Sequence, residues 1–299
     1  MVWIYILIIL LCRVVQAIFS KRSSIEVKNS AMLSRYVTYQ YALSAFIGLA
    51  AIIISGEGIK IDLLTVGIAA LSGVSLLACS SCSIYAMKSG TVSLNSMFGT
   101  AGMLIPIAAG AMFFGQPVSV MQWVGLAGFF VSSFFLIKGS KKIYAKFDLK
   151  TALLLIGCLV SNGVTMLAQQ MFTRYVPDGS VSAFSFISFA IVALLGLPIS
   201  AAAKRGLPVG ADGTRENSRL TKALFVCGAA LAAALFIINQ FATISTSLIS
   251  PVILFTFING GGTIISTVVA SIMYKEKLSF NIIMGVILGI ASLVVIKSF

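Results

Sequence analysis

Arg13 is the one charged residue that lies well inside an apolar run, in the segment VWIYILIILLCRVVQAIF. A charge at the centre of a membrane-spanning helix costs roughly 2.5–3.5 kcal/mol on insertion scales, so Arg13 should face protein, water or a solute. Gln16 lies three residues further on, on the same helical face. Two interpretations stay open: Arg13 attracts an anionic group of a substrate, or it snorkels to the lipid headgroups or caps backbone carbonyls.

Polar uncharged side chains recur at helical spacing in several other apolar runs. One run carries Asn162 and Gln169, and another carries Asn259 and Thr263 one helical turn apart. An amide in hydrocarbon needs a hydrogen-bond partner, so these faces should point into the protein, where they line a cavity or join helices. The sequence predicts the following substrate-binding residues: Arg13, Gln16, Asn95, Asn162, Gln169, Asn239, Gln240, Asn259 and Thr263.

The residue types that many enzymes and metal proteins use are scarce. The chain has no histidine and no GxxxxGK[ST] loop, which excludes Ser/His/Asp catalysis, histidine-ligated metals and P-loop ATP hydrolysis. None of the eight acidic residues lies in the middle of an apolar run, which argues against carboxylate-based proton antiport and against an intramembrane aspartyl enzyme. Cys79 and Cys82 have the spacing of a redox or metal pair, but without a second pair we interpret them as packing residues. We predict no catalytic residue, no metal and no cofactor.

The composition is that of a membrane protein. The mean hydropathy is +1.06 and only 10% of the 299 residues are charged, whereas soluble domains carry about 25%. The lipid bilayer is therefore a predicted partner. A helix needs roughly 20 apolar residues to cross about 30 Å of hydrocarbon, and the fold class that follows is an all-α integral membrane protein. The ten runs of sufficient length are 2–19, 32–54, 63–87, 91–114, 118–137, 151–172, 181–203, 221–245, 248–273 and 279–297.

The basic residues are distributed unevenly between the two sets of loops. Seventeen lysines and arginines follow odd-numbered runs, whereas Lys60, Arg174 and Lys297 follow even-numbered runs. The positive-inside rule places the odd-numbered loops in the cytoplasm and both termini outside, in what we expect to be a bacterial cytoplasmic membrane. This distribution accounts for the net charge of +13 without a nucleic-acid partner.

The two halves of the chain, residues 1–147 and 148–299, resemble each other. Two constant offsets carry the similarity: 160 positions for runs 4–5 and 9–10, and, more weakly, 146 positions for runs 1 and 6. The paired residues are Ser119 with Ser279, Gly125 with Gly285, Gln116 with Glu276, Cys12 with Cys158, and Gln16 with Asn162. Five crossings per half make the second half inverted relative to the first, which is a recurring device in secondary transporters.

The segments that carry the repeat also carry a resemblance. Residues 113–139 read FFGQPVSVMQWVGLAGFFVSSFFLIKG, and residues 273–298 read MYKEKLSFNIIMGVILGIASLVVIKS. Each is a helix, a short polar turn, a serine and a second helix with an early glycine, which resembles the EamA-type branch of the drug/metabolite transporter superfamily. That family usually has glutamate in the turn, which Glu276 matches and Gln116 does not.

The resemblance implies a ten-helix transporter with a central cavity, and it does not identify the cargo. We expect a secondary transporter that moves a small polar metabolite or drug-like solute by alternating access, as facilitated diffusion or exchange. The alternatives are a flippase for a lipid-linked group and a membrane receptor or enzyme. The oligomeric state does not follow from the sequence.

Overall fold

The computed structural model describes residues 2–56, 62–88, 92–139, 149–205, 220–273 and 279–298. Within these ranges every regular element is helical, so the predicted all-α class is confirmed. The helices are α1 Val2–Glu26, α2 Ser30–Ser55, α3 Leu63–Lys88, α4 Val92–Ala101, α5 Leu104–Phe113, α6 Val120–Gly139, α7 Leu149–Tyr175, α8 Val181–Arg205, α9 Lys222–Thr246, α10 Pro251–Phe255, a π-helical turn Thr256–Gly261, α11 Gly262–Met273 and α12 Phe280–Ser298.

These helices form ten spans in the described part of the chain. Span 4 is α4 with α5, span 9 is α10 with the π-helical turn and α11, and each other span is one helix. Seven helices are long and apolar enough to cross a bilayer, and shorter apolar helices occupy spans 4, 5 and 9. By helix length and hydropathy the chain is a multi-pass membrane protein.

Two helix ends differ from the ends of the predicted apolar runs, and local chemistry explains the difference. α1 does not stop at residue 19 but continues to Glu26, because the polar segment that follows is made of residues that tolerate a helix. α6 starts at Val120 rather than at residue 118. Ser119 and Gln122 form a capping box there: Ser119 Oγ accepts from Gln122 N, and Gln122 Oε1 accepts from Ser119 N, both at 3.1 Å.

Spans 4 and 9 are both interrupted near their middle. The interruption of span 4 lies at Gly102 and Met103, three to four residues before Pro106, which is where a proline disrupts the preceding helical turn. Pro106 lies in the first turn of α5. Backbone N–H groups in a first turn have no helical acceptor, so the N–H that proline lacks costs α5 no hydrogen bond. Pro251 likewise begins α10, and the π-helical turn that follows ends at Gly261. Under the repeat offset of 160 residues, Gly261 at the end of this turn corresponds to Ala101 at the end of α4.

The helix packing has a pseudo-twofold pattern. α1 packs on α9 and α3 packs on α7, which are equivalent pairs when the first five spans are exchanged for the second five. α2 packs on α8 and α6 on α12, and each of these pairs maps onto itself under that exchange. Two inverted halves would produce this pattern.

The contact between α6 and α12 repeats the pattern at the level of side chains. A Cβ on Gly125 would lie 2.5 Å from Ile296 Cγ1. Under the offset of 160 the equivalent contact is Gly285 with Leu136, and a Cβ there would lie 2.8 Å from Leu136 Cδ2. Ser132 Oγ also donates to Gly285 O at 2.6 Å. Both glycines therefore permit close helix packing, as the GxxxG spacing of residues 285–289 predicts.

The bundle has two chemically different ends. The basic end holds most described lysines and arginines, and α1 meets α9 there, where Thr221 Oγ1 lies 3.3 Å from Glu26 Oε2. The opposite end holds the start of α1 and the end of α12, where Lys297 Nζ lies 4.8 Å from the centre of the Trp3 ring.

Candidate functional site

The guanidinium group of Arg13 points into the bundle. By the 1.5 Å rise per residue, Arg13 lies about 16 Å along α1 from Val2, close to the middle of a membrane about 30 Å thick. Its Nη1 donates to Gln16 Oε1 at 3.1 Å, and its Nη2 donates to Asn259 Oδ1 at 3.3 Å. Its Nε is buried without a hydrogen-bond partner. Two amides therefore orient the cation and leave part of its donor capacity unused.

Asn259 reaches Arg13 because it lies in the π-helical turn of span 9. Its Nδ2 donates to Phe255 O at 3.0 Å and contacts Met166 Sδ at 3.2 Å, which fixes the amide with Oδ1 toward Arg13. A Cβ on Gly262 would lie 3.2 Å from Arg13 Cγ, so the glycine lets span 9 approach the arginine stem closely. π-helical turns of this kind occur frequently at functional sites.

Span 4 contributes a second group of polar side chains beside this turn. The hydroxyl oxygens of Thr100 and Thr263 lie 3.3 Å apart, and Thr263 Oγ1 donates to Asn259 O at 2.8 Å. Asn162 Nδ2 donates to Gly99 O at 2.7 Å. Asn95 is half-buried, and its Oδ1 has no partner. Sequence analysis missed Thr100, because a threonine among alanines and glycines gives no periodic signal.

The pseudo-twofold relation shows what is special about Arg13. Under the two offsets, Leu159 corresponds to Arg13 and Gly102 corresponds to Gly262. α4 and α7 approach each other closely at this equivalent crossing, since a Cβ on Gly102 would lie 2.7 Å from Leu159 O. The second copy of the crossing thus has an apolar side chain where the first has a cation. The cation therefore belongs to one of two similar helix crossings, and the other crossing retains the polar bond from Asn162 Nδ2 to Gly99 O.

The three remaining predicted residues belong to a separate network. Gln169 Nε2 donates to Asn239 Oδ1 at 2.6 Å, and Asn239 Nδ2 donates to Ser185 Oγ at 2.9 Å. Gln240 Nε2 donates to Ser182 Oγ at 2.9 Å. This network joins α7, α8 and α9, and its hydrogen bonds are made between protein groups. The structure therefore brings Arg13, Gln16, Asn259 and Thr263 together, with Asn162 and Asn95 nearby, and separates Gln169, Asn239 and Gln240 from them.

No carboxylate neutralises Arg13 in the described part of the chain. The acidic residues described there are Glu26, Asp62 and Asp178, all at helix ends, and Glu276 lies outside the described residues. The described residues also contain no group of three metal-ligating side chains. Cys79 is a free thiol whose Sγ lies 3.8 Å from Cys158 Sγ.

The side chains around Arg13 toward the basic end are only partly buried, whereas Arg13 Nε itself is buried. Residues 12–19 of α1 and residues 76–83 of α3 include no fully buried side chain on any face among those described. At the opposite end an apolar cluster fills the interior: Ile6, Ile9, Ile107, Met166, Ile238, Ala242, Val252 and Phe255.

Comparison with known proteins supports the fold and goes no further. No protein-family model matches the sequence, and no curated protein matches it. Among solved structures, 28 chains match. One, described only as the crystal structure of a protein, superposes with a TM-score of 0.78 at 13% sequence identity, over 98% of this chain and 94% of that chain. At this identity the likeness shows a shared multi-helical fold over nearly the whole chain.

Proposed function

We propose that the protein is a secondary transporter of the EamA type, which moves a small polar solute across the membrane by alternating access. The observation that carries the proposal is the un-neutralised guanidinium of Arg13, held by Gln16 and Asn259 inside the bundle. A cation in the membrane interior is costly, so it is retained where it serves a solute or an ion pathway. Its position at the interrupted helix of span 9 matches the place where transporters bind solutes.

The pseudo-twofold packing supports the same proposal. Two similar halves with a polar group near the midplane can rock about that group and open to either end. The solute class that fits is a small polar molecule with an anionic group, which Arg13 attracts, and further polar groups, which Asn95 and Thr100 can bind. The membrane is the bacterial cytoplasmic one in this proposal, with the basic end in the cytoplasm.

The experiment has two stages. A thermal-shift screen of the purified protein against metabolites identifies a solute, because a ligand that binds the native state raises its stability. Flux of that solute is then measured in liposomes for the wild type and for Arg13→Gln. We expect saturable flux, and an affinity about tenfold weaker in the variant, since a hydrogen bond to a charged group contributes roughly 1.5–3 kcal/mol.

Two results would contradict the proposal. Arg13→Gln with wild-type affinity and rate in folded protein would remove Arg13 from the site. Absence of solute flux, with movement of a labelled lipid between leaflets instead, would favour the flippase. The control variant is Arg205→Gln, which removes an exposed cation at the basic end and should leave solute affinity unchanged.

A further inference from the structure

A polar cleft of about 420 Å³ lies at the opposite end of the bundle. The turn after α5, the end of α7 and the end of α9 form it. Its lining residues all have polar side chains, and none of them belongs to the predicted set of substrate-binding residues. The lining residues are Gln116, Gln170, Thr173, Arg174, Thr246 and Ser247. A concave site of this size can hold a small ligand.

One of these side chains lacks a hydrogen-bond partner. Gln170 is only 2% exposed, and its Nε2 donates to Gln116 Oε1 at 2.9 Å. Its Oε1 is buried with no partner. Turning both amides around would reverse the bond and leave Gln170 Nε2 unpaired instead. In either arrangement one polar atom of Gln170 needs a partner from outside the protein, because an unpaired buried polar atom is unfavourable.

The orientation of the two glutamines is set by the backbone around them. A Cβ on Gly110 would lie 3.1 Å from Gln116 Oε1 and 3.2 Å from Gln170 Nε2, so the glycine makes room for the pair. Gln116 N also donates to Gly110 O at 2.9 Å, which holds the turn against α5. Gln170 is therefore held in place before any ligand arrives.

Arg174 supplies a positive charge at the rim of the cleft. It is exposed, and its Cζ lies 5.7 Å from the centre of the Phe114 ring, a cation–π contact that positions the guanidinium. Phe114 in turn packs edge-on against Tyr175 with ring centres 6.2 Å apart. Within the described ranges Arg174 has no ion pair, so its N–H groups can bind an anion in bidentate fashion.

We propose that this cleft is a second binding site, for a small organic anion that also carries hydroxyl groups. Arg174 binds the anionic group, and the unpaired amide atom of Gln170 bonds a hydroxyl. The hydroxyls of Thr173 and Ser247 provide further partners on the same wall. The site is separate from the surroundings of Arg13, and its existence does not depend on transport.

The test uses gluconate, a six-carbon hydroxy-carboxylate, as the probe and sorbitol as its uncharged counterpart. Binding to the purified full-length protein is measured by titration calorimetry at low salt. We expect the wild type to bind gluconate and Arg174→Gln to bind it about tenfold more weakly. The affinity of the wild type for sorbitol should be no higher than the affinity of Arg174→Gln for gluconate. Gln170→Met should weaken gluconate binding severalfold. Arg205→Gln, which removes an exposed arginine at the basic end, is the matched control and should bind as wild type.

Arg13→Gln separates the two sites. If the cleft is the gluconate site, this variant binds gluconate as wild type does, whatever it does to flux. Loss of gluconate binding in Arg13→Gln with retention in Arg174→Gln would place the anion at the central site and overturn the proposal. No gluconate binding to wild type in the millimolar range would overturn it as well. If Gln170→Met fails to fold, the comparison of Arg174→Gln with Arg174→Lys keeps the test decisive, because only the lysine retains the charge.

Discussion

At the scale of single residues, the hydrogen-bond partners of Arg13 decide what it can do. A carboxylate partner would neutralise the cation and hold it in a closed pair, whereas Gln16 and Asn259 orient it without removing its charge. The buried Nε without a partner shows that the protein does not use its whole donor capacity. A positioned and incompletely bonded cation is suited to binding an anion that arrives and leaves.

The first prediction concerns Asn259. Asn259→Ala removes the acceptor for Arg13 Nη2 and frees the guanidinium to move, so solute affinity should fall about threefold to tenfold, as expected for one interhelical hydrogen bond. Ser133→Ala is the control, because Ser133 Oγ is buried and bonds only Phe129 O of its own helix, at 3.1 Å. Equal affinities in the two variants, measured by equilibrium binding, would contradict the role of Asn259.

The second prediction concerns protons. Glu26, Asp62 and Asp178 are the described carboxylates, and all three lie at helix ends. Without a described midplane carboxylate to carry a proton, flux of a solute that has an anionic group but no net charge should not require a proton gradient. Adding a protonophore to proteoliposomes at fixed voltage should leave the initial rate unchanged. A loss of concentrative uptake on that addition would mean that another group carries protons.

The sequence identified Arg13 and its neighbour Gln16, but it did not pair Arg13 with Asn259. An arginine in an apolar run can be recognised from the sequence alone, because the free-energy cost of placing its charge in the membrane does not depend on which residues pack against it. Asn259 lies 246 positions away, and only tertiary packing brings the two together. The same limit applies to Gln169 and Asn239, which have the residue types of a binding site but bond each other at 2.6 Å.

At the scale of elements, spans 5 and 10 form a closely packed pair that depends on glycine. The third prediction is that Gly125→Ala destabilises the protein by about 1–3 kcal/mol, because the added Cβ would overlap Ile296 and overpack the contact. Thermal unfolding of the purified protein measures the change. Gly67→Ala is the control, since nothing lies within 4 Å of a Cβ there, and replacing glycine in a helix is itself favourable by about 0.5–1 kcal/mol.

A second substitution makes this prediction specific. Ile296→Ala removes the side chain that meets the new methyl group, and because Ile296 is fully buried this change alone should cost about 2–5 kcal/mol. Gly125→Ala should therefore cost much less in the Ile296→Ala background than in the wild type. If the losses of stability in the two single variants simply add in the double variant, Gly125 acts through something other than its contact with Ile296.

The elements themselves were largely predictable, whereas the π-helical form of the interruption in span 9 was not. Hydrophobic runs fix which segments are helices, because bilayer thickness sets the length they need. The π-helical turn of span 9 depends on how Gly260 and Gly261 pack, against Phe129 and Leu10 respectively, which a local pattern does not contain.

At the scale of the whole molecule, the charge asymmetry predicts its orientation. The fourth prediction is that a reporter active only outside the cytoplasm, fused after Phe299, is active, because the basic end should face the cytoplasm. A cytoplasm-specific reporter fused at the same position should be silent. Activity of the second reporter and not the first would reverse the assignment.

One departure from the pseudo-twofold pattern is the packing of α7 against α9. α7 packs against α9 at the opposite end, with Thr173 Oγ1 and Thr246 Oγ1 2.8 Å apart and Gln169 bonded to Asn239. The equivalent pair under the exchange of halves is α1 with α3, which lack comparable packing among the described residues. The contact made at one end is thus not made at the other, as alternating access requires of a single state.

The fifth prediction follows from that difference. Opening the opposite end must separate α7 from α9, so a disulfide between them should hold the protein in the state described here. Thr173→Cys with Thr246→Cys, in a background whose five native cysteines are replaced by alanine, should lose at least about tenfold of its solute flux on oxidation and recover it on reduction. The two single variants under the same oxidant control for other effects of oxidation. Solute binding should persist in the oxidised protein, because the cross-link joins α7 to α9 and leaves Arg13 with its partners Gln16 and Asn259 unchanged. Full flux through a protein shown to be fully cross-linked would mean that α7 and α9 do not separate, and would require a different opening.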